Sequence, residues 1–88
     1  LSRISLYVEN INPCNNMDYI YIHVLLKDRQ LSPIQYKGKN VNTVIRFSAF
    51  GNTSAIIKWA VIKNNVTSYY YDTVYCYPGD TLLYHIYY

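Results

Sequence analysis

The chain has 88 residues, a formal net charge of +3, 51% hydrophobic residues and 15% charged residues. This apolar content excludes disorder as the default state, and the length allows one small domain, which we place at residues 1–88. The eight Lys and Arg residues are scattered, unlike the basic stripe of a dedicated nucleic-acid-binding protein. The sequence contains no run of apolar residues long enough to predict a membrane span. Because the chain starts at Leu1 rather than Met, we expect a processed chain or an excised fragment.

Period-two alternation of apolar side chains predicts three strands in the first half of the chain. The first covers 3–10, where Ile4, Leu6 and Val8 alternate with other side chains. An Asn-rich loop containing Pro13 precedes the second strand, at 18–26, which is apolar on both faces as is typical of a central strand. A short third strand at 34–37 follows the next loop and leads into a turn at Gly38.

Four further strands are predicted in the second half, at 41–50, 55–63, 66–77 and 81–88. The two residues Asn64 and Asn65 are a hairpin signal between the fifth and sixth strands, because Asn tolerates a positive φ. Pro78 and Gly79 form a turn before the last strand. The short apolar run at 55–63 also fits a helix, and this alternative stays open in the sequence.

Seven strands at this spacing predict an all-β fold, a small Ig-like β-sandwich of about seven strands, with a small OB-like barrel as the alternative. The segment Tyr77-Pro78-Gly79-Asp80-Thr81, followed by alternating apolar residues up to Ile86, resembles a strand-opening pattern in Ig-like repeats of bacterial and archaeal cell-surface proteins. This resemblance implies a surface-exposed Ig-like sandwich.

The cysteines and the sequons together predict an oxidising, extracellular compartment. Cys14 and Cys76 lie near opposite ends of the chain, and a disulfide between them would stabilise a small domain by about 4 kcal/mol. Two unrelated thiols are the alternative. Asn52 and Asn65 each begin an Asn-X-Ser/Thr glycosylation sequon in a predicted turn. We therefore predict a disulfide-bonded glycoprotein that is secreted and lies at the cell or virion surface.

The sequence supplies little for catalysis, and we predict neither an enzyme nor any cofactor or metal site. The acidic residues lie in predicted turns or at strand edges, so no acid–base pair is evident. His23 and His85 could form a metal pair or a pH sensor, but two half-buried strand residues are the expected alternative. The acidic residues are Glu9, Asp18, Asp28, Asp72 and Asp80.

Tyrosine is the unusual feature, since the chain has twelve Tyr and eight of them lie within residues 69–88. In the sixth strand the odd positions form a Tyr face, whereas the even positions are predicted to face the core. No Lys or Arg interrupts this region, which argues against an electrostatic track for nucleic acid. Tyr is enriched and charge is depleted at protein interfaces. The predicted protein interface comprises Tyr69, Tyr71, Tyr75, Tyr77 and Tyr87, and the predicted core face comprises Val66, Tyr70, Val74 and Cys76.

These features predict a non-enzymatic extracellular structural subunit that self-assembles into a filament or coat. Strand-like segments reach both ends of the chain, and an uncovered edge strand is a template for strand addition. The expected partner is therefore an identical subunit, with another protein possible and no nucleic acid. The alternative is a secreted viral or microbial Ig-like module that binds a host protein through the Tyr face.

Overall fold

Seven strands make up the secondary structure of the computed structural model, which describes residues 2–27 and 29–88. Leu1, the first residue of the predicted domain, and Asp28, one of the five acidic residues, lie outside the described residues. Every predicted strand is confirmed to within two residues at each end. The strands are β1 (Ser2–Glu9), β2 (Tyr19–Leu26), β3 (Ile34–Lys37), β4 (Asn42–Ala49), β5 (Thr53–Lys63), β6 (Val66–Cys76) and β7 (Thr81–Tyr87).

The strands form two sheets, which confirms the all-β fold and the two-sheet sandwich. Sheet A has the order β4-β1-β7, and sheet B has the order β3-β2-β5-β6. The β1–β7 pair is parallel, and every other pair is antiparallel. The described strands do not close into one barrel, so the OB-like alternative is wrong. The helix alternative over 55–63 is also wrong, because β5 pairs along its length with β2 and β6.

The core lies between the sheets and follows the predicted alternation. In sheet A, Ile4, Leu6 and Val8 of β1 are fully buried. In sheet B the matching residues include Ile22 and Ile57, on the two central strands. Burying one such side chain contributes about 1.5–3 kcal/mol. The predicted central position of β2 is confirmed, since β3 and β5 flank it.

The loop between β1 and β2 is organised by Asp18, whose side chain is fully buried. Its Oδ2 accepts hydrogen bonds from the backbone N–H of Cys14 at 2.9 Å and from Nδ2 of Asn10 at 3.0 Å. Its Oδ1 accepts one from the N–H of Asn15 at 3.2 Å. The N–H of Cys14 is the main cause of a lowered Asp18 pKa, and burial opposes it. The carboxylate thus holds this loop in one conformation while charged.

The predicted Cys14–Cys76 disulfide is wrong, because both cysteines are free and they lie at opposite ends of the sandwich. Cys14 is in the β1–β2 loop, where its neighbour Asn15 donates a hydrogen bond to Asn64 in the β5–β6 turn. Cys76 pairs with Thr53 at the other end of the same two strands. Ten residues of extended strand span roughly 33 Å. A disulfide needs Cα atoms only about 4.4–6.8 Å apart.

The turns lie at the residues predicted from the sequence. Asn64 and Asn65 both have positive φ values, 50° and 64°, which confirms the two-residue hairpin. At the other end of the molecule Gly51 lies against Pro78, where a Cβ would come within 2.6 Å of the Pro78 Cα, so only glycine fits. The turn at Pro78 carries the chain from sheet B to sheet A. The last two strands are therefore not paired as a hairpin, although a turn joins them.

Candidate assembly surface

The edge of sheet B formed by β6 is the longest strand edge left unpaired among the described strands. Among the described strands, β6 is hydrogen-bonded to β5 alone. It is 11 residues long and contains Asp72 as its single charged residue and no proline. Natural proteins usually block edge strands with charge, proline or short length. β6 has almost none of these protections.

The edge strands β3 and β4 are better protected against strand addition than β6, beginning with β3 at the opposite edge of sheet B. β3 is only 4 residues long, it follows Pro33, and it ends at Lys37. In sheet A, the edge strand β4 carries Arg46 in its middle, with an exposed side chain. Short length, proline and a basic side chain each disfavour the addition of another strand. β6 is therefore the longest edge strand and is less protected than β3 or β4, while β7, the other edge of sheet A, also lacks Lys, Arg and proline but has only 7 residues.

The predicted tyrosine interface is divided between two surfaces. Tyr69 and Tyr71 are 81% and 75% exposed on the outer face of sheet B, and Tyr75 is also exposed on that face. Tyr77 follows the end of β6 and packs edge-on against Tyr75, with ring centroids 4.8 Å apart. Tyr87 lies instead on the outer face of sheet A. Four of the five predicted residues therefore lie along β6 or just after it, and Tyr87 is on the other sheet.

Tyr87 takes part in a separate aromatic stack on sheet A. Its ring lies 5.5 Å from that of His85, and the His85 ring lies 4.9 Å from that of Tyr7. The hydroxyl of Tyr87 is also 3.1 Å from Nδ1 of His85. His23 is on the outer face of sheet B, so the two histidines are on different sheets and do not form a pair. Within residues 2–27 and 29–88, no three potential ligands are grouped to hold a metal ion.

The outer face of sheet B contains an apolar groove of about 510 Å³. Tyr69 and Tyr71 of β6 line one side, and Tyr21 and His23 of β2 line the other. Lys58 and Ala60 of β5 lie between them, and the small side chain of Ala60 leaves space between the larger rings. This groove provides an aromatic surface that a partner side chain can enter.

The inner face of β6 is also partly open, which corrects the predicted core face. Cys76 is buried and Val74 is half-buried, but Tyr70 is 51% exposed and Val66 is 64% exposed. A second groove, also about 510 Å³, runs between Tyr70 and the C-terminal Tyr88. Sheet A has three strands and sheet B has four, so the beginning of β6 extends beyond the strands of sheet A that pack on sheet B.

Aromatic contacts hold this open side of the sandwich in place. Trp59 stacks on Tyr70 with centroids 5.7 Å apart and meets the edge of Tyr84 at 6.1 Å. The hydroxyl of Tyr84 donates a 2.6 Å hydrogen bond to Oδ2 of Asp72, across the two sheets. Burial and this carboxylate raise the pKa of Tyr84 to about 12. Tyr84 therefore stays protonated and keeps donating at physiological pH.

Both sequons occupy exposed turns. Asn52 begins the turn before β5, and Asn65 lies in the hairpin turn between β5 and β6. Each Asn has a positive φ, a conformation that Asn adopts readily in turns. A glycan could be accommodated at either position in the isolated chain, and their modification stays a prediction.

No protein-family model, curated protein or solved structure matches the chain. None of the described residues forms a helix that is long and apolar enough to cross a membrane. The site is therefore characterised by its own geometry: a long edge strand with little charge and with exposed tyrosines on both faces.

Proposed function

We propose that the chain is a non-enzymatic structural subunit that assembles with identical copies into an extracellular filament or coat. The observation that supports this most directly is the unprotected edge of β6. Its outward backbone groups are free to continue sheet B, and the aromatic side chains beside them provide area for a contact. Cell-surface or virion-surface location is part of this proposal, supported by the exposed sequons at Asn52 and Asn65.

Strand addition would pair the free N–H and C=O groups along the β6 edge and bury aromatic surface in one step. Each added residue pair supplies main-chain hydrogen bonds, and neighbouring side chains pack on both faces of the extended sheet. Tyr suits this role because its ring gives apolar area while its hydroxyl keeps a hydrogen-bonding group. The low charge of β6 limits the desolvation that opposes association.

A second candidate function is that of an Ig-like module which binds a different protein. The apolar groove beside Tyr69 and Tyr71 on sheet B supports this candidate, because it could accept an aromatic or aliphatic side chain. Such a module would use the outer face of the sheet rather than its edge. It would remain monomeric when alone in solution.

Sedimentation velocity over a wide range of protein concentration separates the two functions. We expect the structural subunit to shift from monomer to larger species as concentration rises, and the largest species to appear as filaments or sheets by electron microscopy. A monomer that persists at the highest soluble concentration would contradict self-assembly. That result would favour the binding module instead.

A further inference from the structure

The sequence of β6 is nearly the same in both directions. Residues 66–74 read Val-Thr-Ser-Tyr-Tyr-Tyr-Asp-Thr-Val, and reversal exchanges only Ser68 and Asp72. Two such segments placed antiparallel about Tyr70 would bring Val66 opposite Val74, Thr67 opposite Thr73 and Tyr69 opposite Tyr71. Tyr70 would lie opposite itself at the centre.

We propose that β6 pairs antiparallel with β6 of a second copy about a two-fold axis at Tyr70, so that the two copies of sheet B form one continuous eight-stranded sheet. This proposal rests on the proposed self-assembly and names its first contact. The occupant is a second copy because the edge is complementary to itself: an isologous contact requires that each residue suit its symmetry partner.

The backbone of β6 presents the correct groups for this register. In a two-residue hairpin the flanking pair, here Lys63 and Val66, is hydrogen-bonded, and bonded and non-bonded pairs then alternate along the ladder. The even residues of β6 therefore direct N–H and C=O toward β5, and the odd residues direct them outward. Pairing about Tyr70 joins odd residues to odd residues, which places outward donors opposite outward acceptors.

The single difference between the two reading directions of β6, Ser68 against Asp72, avoids a repulsion between carboxylates. With Asp72 opposite Ser68 of the second copy, the Ser hydroxyl can donate a hydrogen bond to the carboxylate, and this occurs twice in the dimer. Oδ2 of Asp72 already accepts from Tyr84, and Oδ1 remains for the second copy. A register centred on Asp72 would instead place two carboxylates opposite each other, which is destabilising in a sheet.

The side chains on both faces also favour the pairing. On the outer face, Tyr69 and Tyr71 of the two copies would form two cross-strand aromatic pairs beside the groove of sheet B. On the inner face, the two Tyr70 rings would meet at the axis, each already supported by Trp59. Aromatic cross-strand pairs stabilise an antiparallel ladder relative to alanine pairs. Exposed tyrosines on both faces of β6 would thus lose exposure together.

A charge placed at position 68 tests the register. Ser68→Asp would put a carboxylate opposite Asp72 of the second copy at two symmetric sites, and we expect the dimer dissociation constant to rise at least about tenfold. The matched control is Ser32→Asp, the same change at an exposed residue in the loop before β3, on the far side of sheet B. We expect that control to associate like the unmodified chain. Trp59 fluorescence and circular dichroism verify that each variant is folded.

Exchange of the two residues provides the decisive comparison. The double variant Ser68→Asp/Asp72→Ser restores a hydroxyl opposite each carboxylate, so we expect it to associate within a fewfold of Asp72→Ser, the single variant that lacks the same Tyr84 hydrogen bond. If the unmodified chain associates and Ser68→Asp associates equally well, the Tyr70-centred register is wrong while self-assembly stands. If the unmodified chain remains monomeric at every concentration, the pairing and the proposed function both fail.

Discussion

Replacement of Thr73 by proline is expected to raise the dissociation constant of the assembly roughly a hundredfold while the monomer stays folded. The N–H of Thr73 faces away from β5, so its loss leaves the β5–β6 ladder intact. In the proposed dimer that N–H bonds to Thr67 of the second copy, and the substitution removes two such bonds by symmetry. Proline is tolerated in edge strands where the missing N–H would face solvent.

Thr73→Ala is the matched control for the proline variant. It removes the same side chain but keeps the N–H, so we expect association within a fewfold of that of the unmodified chain. Sedimentation velocity measures both variants, and the Trp59 emission spectrum reports whether the core beside β6 is preserved. Proline and alanine variants that associate equally well would show that the β6 edge takes no part in assembly.

Asp18→Asn is expected to lower the melting temperature of the monomer by roughly 5–10 °C. The carboxylate accepts three hydrogen bonds from Asn10, Cys14 and Asn15 in a buried position. An amide has one acceptor oxygen, and its NH₂ group would face N–H donors. Thermal denaturation followed by circular dichroism measures the loss. Asp80→Asn, at an exposed carboxylate in the β6–β7 turn, is the control and should change the melting temperature little.

Acid titration gives the same site an independent test. The pKa of Asp18 is lower in the folded chain than in the unfolded chain. Its charged carboxylate therefore adds its full contribution to the free energy of unfolding above the unfolded pKa of about 3.9, and this contribution disappears as the pH falls through the lower folded pKa. Chemical denaturation at successive pH values should therefore show a steeper acid loss in the unmodified chain than in Asp18→Asn. Equal acid profiles would contradict a charged Asp18 in the loop.

The strand pattern was predictable because alternation reports which face of a strand is buried. In β1, Ile4, Leu6 and Val8 lie in the core as expected, and on β6 the outward position of Tyr69 and Tyr71 follows from the same rule. Two asparagines were sufficient to predict the β5–β6 turn. These features depend on neighbours in the chain, which the sequence displays directly.

Features that depend on distant parts of the chain were not predictable in the same way. Alternation assigns Tyr70 to the inner face, but whether a strand of sheet A covers it depends on the width of that sheet. Tyr87 is on a different sheet from the other interface tyrosines because its strand joins sheet A. Cys14 and Cys76 are separated by the length of the β5–β6 ladder, which spacing along the sequence does not reveal.

The buried carboxylate of Asp18 was also missed, although a local signal existed. The β1–β2 loop is rich in Asn and ends in an Asp immediately before β2. Asn and Asp side chains often bond to nearby backbone groups in turns. That pattern would have indicated a self-bonded loop, although it would not have shown the contribution of Asn10 from the end of β1.

A two-fold contact at β6 has a consequence for the form of the assembly. An isologous pairing closes on itself and gives a dimer, so a filament requires a second kind of contact. Sheet A, as far as the described residues extend, leaves β4 and β7 with one free edge each. Because Arg46 disfavours strand addition at β4, dimers joined through the edge of β7 would alternate two contacts along a fibre.

Amide exchange along β6, read residue by residue, tests the central claim most directly. We expect the N–H groups of Tyr69, Tyr71 and Thr73 to exchange rapidly in dilute monomer and slowly in the assembled state, whereas those of Tyr70 and Asp72 are protected by β5 in both. Assembled protein in which the three odd-numbered amides still exchange at the monomer rate would contradict pairing through the β6 edge.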